Sequence, residues 1–189
     1  PVLSRGLGDV YKRQAIDRAA PIPGGIAIAS QSGAYGSHIY MVSHQRGLGI
    51  NYWITTGNEA DISVSEAIQF LAEDEKVHTI MAYVESVKDG KMFTKALDTA
   101  RQEKKPVILM KVGRSDVGAA AANSHTASLA GEDAIYSEVI RAHGAYRVRS
   151  TEEMLDVAYA TKPRIYPSGK NLGIVTISGG GGVLMADAA

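Results

Sequence analysis

The chain has 189 residues, 20 basic and 20 acidic side chains, and no cysteine. At about 150 residues per domain this is one full domain and a piece of another. The balanced charge gives no pull toward nucleic acid or an anionic membrane, and the missing cysteines rule out disulfides, a thiol nucleophile and a thiolate metal site.

No apolar run reaches the ~20 residues of a membrane span, and the start lacks the apolar core of a signal peptide, so the expectation is a cytoplasmic protein. The first stretch, Pro1 to Gln14, has neither a period of 2 nor one of 3.6 and resembles the translated tails found at the ends of some environmental gene fragments. Residues 1–22 are therefore read as an N-terminal arm, partly non-native.

From Gly24 an α/β rhythm begins. Short apolar runs predict strands over 26–29, 50–55, 79–84 and 106–112, with a shorter one around 146–148. Between them, segments 34–46, 64–73, 92–104 and 133–143 have helical length. In the third of these Phe93, Ala96, Leu97 and Ala100 fall at i, i+3, i+4, i+7. A last helix starts at Ser150 with the acidic pair Glu152 and Glu153 in its first turn, which suits the helix dipole. Strands alternating with helices imply a flavodoxin-like, doubly wound parallel sheet over residues 23–162. The prolines at 163 and 167 mark a linker over 163–171. The pattern then restarts, with a strand over 172–177, a Ser/Gly turn over 178–182 and a helix from Val183. This repeats the layout of residues 26–36, so residues 172–189 are read as the truncated start of a second, similar domain.

The stretch that organises the rest is Ser124-His125-Thr126-Ala127-Ser128-Leu129-Ala130-Gly131, placed after the fourth strand and before a helix. A histidine there sits at the carboxyl edge of the sheet, where ligands collect in open α/β folds. Small residues flank it and leave room for a phosphate or another surface; a loop histidine bonded to nearby backbone fits the stretch equally well. Ser32 and Gly33 lie where a strand gives way to a helix, and amide groups and dipole at that place can hold an anion. Many sheets of this class have such turns without a ligand. Gln31 stands where the dinucleotide fingerprint needs glycine, and no Gly-Lys-Ser/Thr follows either glycine-rich turn, so neither nucleotide loop is present. Glu85, closing the third strand, is either a solvated carboxylate or a hydrogen-bond partner for the ring of His125. No residues are assigned to a metal.

Six segments in order, 28–33 (Ile-Ala-Ser-Gln-Ser-Gly), 57–61 (Gly-Asn-Glu-Ala-Asp), 83–85 (Tyr-Val-Glu), 105–107 (Lys-Pro-Val), 111–115 (Lys-Val-Gly-Arg-Ser) and 124–131, resemble the NDP-forming (ADP-forming) acyl-CoA synthetases, relatives of the succinyl-CoA ligase alpha subunit. Each is weak alone; together and in order they are specific. Ala127 stands where that family often has glycine. The resemblance implies a succinyl-CoA synthetase-like domain, and a reaction in which acyl-CoA, ADP and phosphate are interconverted with acid, CoA and ATP through a phosphohistidine on a mobile loop. It implies that His125 carries the phosphoryl group, that Glu85 orients the ring and that Ser32 and Gly33 steady the phosphate. Gly57 and Asn58 belong by the same resemblance to a loop near the active site. CoA, ATP or ADP and phosphate are the implied substrates of the full enzyme, with Mg2+ on an ATP-grasp part that this sequence lacks. The implied partners are a CoA-binding Rossmann domain, an ATP-grasp domain or subunit, a small carboxylic acid and other copies in an oligomer; the fragment alone is expected to be inactive. Two rival expectations are a non-catalytic, ligand-sensing synthetase-like region of a protein acetyltransferase, and a plain flavodoxin-like binding domain that uses Ser32-Gly33 for a phosphate.

Overall fold

The computed structural model of the chain describes residues 22–115, 117–118 and 132–189. In order, the elements are β1 (Ile26–Ser30), α1 (Gly33–Gln45), β2 (Ile50–Thr55), α2 (Val64–Glu73), β3 (Thr79–Val84), α3 (Gly90–Gln102), β4 (Val107–Lys111), α4 (Asp133–Ala142), β5 (Tyr146–Arg147), α5 (Thr151–Thr161) and α6 (Gly179–Ala188). The strands form one sheet in the order β2-β1-β3-β4-β5, every pair parallel. This is the flavodoxin-type order, and its switch point lies between β1 and β3, where connections leave toward opposite edges of the sheet.

Parallel strands covered on both faces must be apolar throughout. β1 and β4 meet that demand, every one of their residues being buried. One face carries Ala27, Ala29, Ile80, Ala82, Val107 and Leu109 against α2, α3 and α4 through Ile68, Leu71, Phe93, Leu97 and Ile140. The other carries Ile26, Ile28, Met81, Ile108 and Met110 against α1 and α5 through Ile39, Met154, Leu155 and Ala158. Each fully buried aliphatic or aromatic side chain contributes about 1.5–3 kcal/mol, so these two layers hold the strand ends, and hence the loops, in place. β2, at the edge, is only half buried.

Several boundaries differ from those the periodicity predicts, and each difference has a local cause. α3 starts at Gly90 and not at Met92 because the Asp89 carboxylate accepts the N–H groups of Lys91 (2.9 Å) and Met92 (3.0 Å) and so caps the helix earlier. β5 ends at Arg147, although Val148 still donates to Leu109 O (3.0 Å). Residues 172–177, expected as a strand, form none. Val175 and Ile177 stand exposed, and a strand without a paired neighbour has nothing to satisfy its backbone except water. α6 starts at Gly179, four residues before the expected Val183, because Ser178 Oγ accepts the Gly181 N–H (3.2 Å). Among the described residues no helix is long and apolar enough to cross a membrane.

Candidate functional site at the carboxyl edge of the sheet

The edge is built around the switch point. Ser30 is the last residue of β1, in register with Tyr83 of β3 and Thr55 of β2. Its hydroxyl donates to Ser32 O (2.7 Å) and accepts the Ser32 N–H (3.2 Å), folding the chain sharply into α1. Ser32 then caps that helix, its Oγ accepting the Tyr35 N–H (3.2 Å). Ser32 is half-buried and Gly33 exposed. The first turn of α1 therefore presents its amide groups and its positive dipole end outward at the sheet edge, the general arrangement for holding an anion.

Glu85 follows β3 directly and is 5% exposed. Its carboxylate acts on two neighbours: together with burial, the larger cause, and Tyr35 it pushes the Tyr83 hydroxyl up to about 12. The second is Lys111, the last residue of β4, only 1% exposed. Burial holds the Lys111 ammonium below the ordinary lysine value, and the Arg147 charge adds to this, while Asp133 and Glu85 pull the other way. Lys111 Nζ donates to Val112 O (2.6 Å) and lies 4.4 Å from the centre of the Tyr136 ring.

The Gly57-Asn58 loop joins the same edge. Thr56 donates its N–H to Ser30 O (2.9 Å), and Lys88 Nζ donates to Asn58 O (2.8 Å) and Glu59 O (3.2 Å). Gly57 has φ +56°, a conformation that glycine adopts without strain, and Glu59 at φ +55° follows it. The side chain of Glu59 is 2% exposed; its Oε1 accepts from Gln31 Nε2 and from the Val64 N–H, both at 2.7 Å, and its Oε2 lies 4.0 Å from Lys88 Nζ.

Ser32, Gly33, Glu85, Gly57 and Asn58 are thus brought to one edge of the sheet. His125 lies outside the described residues. The segment that carries it leaves from β4 and re-enters at α4, and both ends are held by Arg147 of β5. Its Nη2 donates to Lys111 O (3.3 Å) and its Nη1 to Asp133 O (3.2 Å), and it forms an ion pair with the Asp133 carboxylate. Sequence reasoning assigned nothing to Gln31, Lys111 or Arg147. The available signal was polarity out of place: a glutamine directly after the apolar strand β1, and a lysine ending the run Val107-Ile108-Leu109-Met110.

Residues 23–161 match the succinyl-CoA ligase like flavodoxin domain. The chain belongs to that family. Among curated members and relatives of this flavodoxin-domain family, the alpha subunit of acetate–CoA ligase [ADP-forming] I from Pyrococcus furiosus is 39% identical over 170 residues, covering 89% of this chain and 36% of the relative. Acetate–CoA ligase [ADP-forming] from Methanocaldococcus jannaschii is 38% identical over 88% of this chain and 23% of its own length. Among solved structures, the dinucleotide-forming acetyl-coenzyme A synthetase 1 of Ca. Korarchaeum cryptofilum, in complex with phosphate and ADP, superposes with a TM-score of 0.83 at 34% identity, covering 89% of this chain and 36% of that one. The chain thus spans roughly a quarter to a third of the length of these larger ligases.

Proposed function

We propose that this domain is the phosphate-relay part of an ADP-forming acyl-CoA synthetase, with His125 as the residue that is phosphorylated. The observation that supports it most directly is the junction of Glu85 with the Ser32 helix start. Gln31, the neighbour of Ser32, accepts the Glu85 N–H at 2.5 Å, so the backbone of Glu85 and the start of α1 are tied together on the edge from which the His125 segment departs.

Three displacements make up the relay. An oxygen of phosphate attacks the acyl carbon of the thioester, the C–S bond breaks and the thiolate leaves as CoA. A ring nitrogen of His125 attacks phosphorus in the acyl phosphate, the P–O bond breaks and the carboxylate departs. The β-phosphate oxygen of ADP then attacks phosphorus, the P–N bond breaks and ATP is formed. Neutral imidazole is nucleophilic near pH 7, which suits the middle step. In it the Glu85 carboxylate accepts the N–H of the ring and fixes the tautomer, and the amides at Ser32 and Gly33 stabilise the phosphoryl oxygens. Gly57 and Asn58 bound the site on the β2 side.

Acid, CoA, ADP and phosphate are the proposed substrates, in line with what the relatives' names state. The CoA-binding Rossmann domain, the ATP-grasp domain or subunit with its Mg2+, and the oligomer belong to the proposed whole enzyme. Residues 163–171 would link this domain to a second one of the same type beginning at 172. The test is incubation of the complete enzyme with γ-labelled ATP. Acid-labile, base-stable label on wild type that disappears in His125→Ala is the expected result. A wild-type protein that binds CoA or acyl-CoA yet takes up no label would instead support the ligand-sensing alternative.

A further inference from the structure

Gln31 is 6% exposed, and every bonding position of its side-chain amide is taken. The oxygen accepts the N–H groups of Glu85 (2.5 Å) and Ser86 (3.1 Å), and the nitrogen donates to Ser86 O (2.9 Å) and to Glu59 Oε1 (2.7 Å). No other described side chain at this edge reaches all three loops that the function draws on. It is covalently next to Ser32, it grips the backbone of Glu85, and through Glu59 it reaches the loop of Gly57 and Asn58. The backbone ladder joins β1 to β3 as far as the Gln31 N–H to Tyr83 O bond (3.1 Å); beyond it the connections leave on opposite sides of the sheet, and the Gln31 side chain continues the tie.

We propose that Gln31 is a positioning residue: by gripping the backbone of Glu85 and Ser86 it fixes Glu85 relative to the helix start at Ser32, the two groups that the phosphoryl-transfer step uses. The proposal rests on the phosphohistidine reading above. Shape and chemistry both bear on the choice of residue. Asparagine is one methylene too short to span the same bonds, and glutamate would set an acceptor against Ser86 O and Glu59 Oε1, where the amide places two donors.

The experiment is a double-mutant cycle in the complete enzyme, reading the single-turnover rate of label transfer from ATP to His125. Gln31→Ala is expected to slow transfer by about 100-fold with KM for ATP unchanged, the scale of an ångström-sized misplacement. In a Glu85→Gln background the same substitution should cost less than about threefold, since the group being positioned is already disabled. Gln31→Met, which keeps the volume and loses the bonds, should repeat the pattern if the alanine variant is unfolded. Equal losses with and without the Glu85 carboxylate overturn the proposal, as does failure of both variants to fold, which would make Gln31 a stability residue. Wild type without label on His125 refutes the phosphohistidine reading itself, and the proposal falls with it.

Discussion

Gly36 offers a test of how tightly the start of α1 is seated on the sheet. A β-carbon at Gly36 would lie 2.5 Å from Trp53 Nε1, 3.2 Å from Trp53 Cε2 and 3.1 Å from Ser30 Cβ. In an exposed helix Gly36→Ala would stabilise by about 1 kcal/mol through propensity alone. Here the indole would have to retreat by roughly 1 Å to restore normal contact, and it is stacked on Tyr40 with ring centres 5.9 Å apart. Overpacking of this kind costs about 1–3 kcal/mol, so the expected balance is a loss of about 1 kcal/mol, or about 2–4 °C in Tm. Trp53 is the single tryptophan of the chain, so its emission reports both the displacement in the folded state and the unfolding transition. Replacing the indole by a smaller ring supplies the control: in a Trp53→Phe background, followed by circular dichroism, Gly36→Ala should turn neutral or stabilising. A Gly36→Ala protein as stable as wild type in the presence of Trp53 would refute the argument.

Two further effects follow from the same edge. Ser32→Ala removes the acceptor of the Tyr35 N–H and should cost about 1 kcal/mol in urea unfolding, while Ser32→Asn should recover most of it; equal losses for both would show that the cap contributes nothing. The folded value of Lys111 lies below its ordinary 10.5, so as pH rises the unfolded chain holds its proton longer than the folded one. Wild-type stability must then rise relative to Lys111→Met on going from neutral pH toward 10.5, since the burial penalty is carried in full below the folded value and vanishes above the unfolded one. Urea midpoints of the two proteins across that range check this, and a gap that is flat or moves in favour of Lys111→Met contradicts it.

The sheet was legible because its signal is redundant: β1, β3 and β4 are apolar on both faces, and α3 carries Phe93, Ala96, Leu97 and Ala100 at helical spacing over eight residues. The site was legible in part. Ser32 and Glu85 could be placed on one edge from strand ends alone, and the parallel register of Ser30 with Tyr83 does place them there. What links them was not legible, because Gln31 reads as one more polar turn residue until its four bonds to Glu59, Glu85 and Ser86, all far along the chain, are known. Lys111 hid for the opposite reason: a lysine normally signals a surface, and only the packing of Tyr136 and Arg147 around β4 reveals its burial. The 172–177 run shows the limit of periodicity, since alternation marks a segment able to pair but says nothing about a neighbour.

One small motif occurs twice. At the end of β1 a hydroxyl two residues ahead of the cap holds both backbone groups of Ser32, and at Thr176 the same bonds recur: Thr176 Oγ1 accepts the Ser178 N–H at 3.0 Å and donates to Ser178 O at 3.2 Å. The Gly36 and Gly182 N–H groups each reach the cap carbonyl at 2.9 Å. Only the first copy grows out of a strand. A corner that takes the same shape with or without pleated neighbours is encoded by its own side chains, so the turn that launches α1 needs no sheet behind it to hold its form.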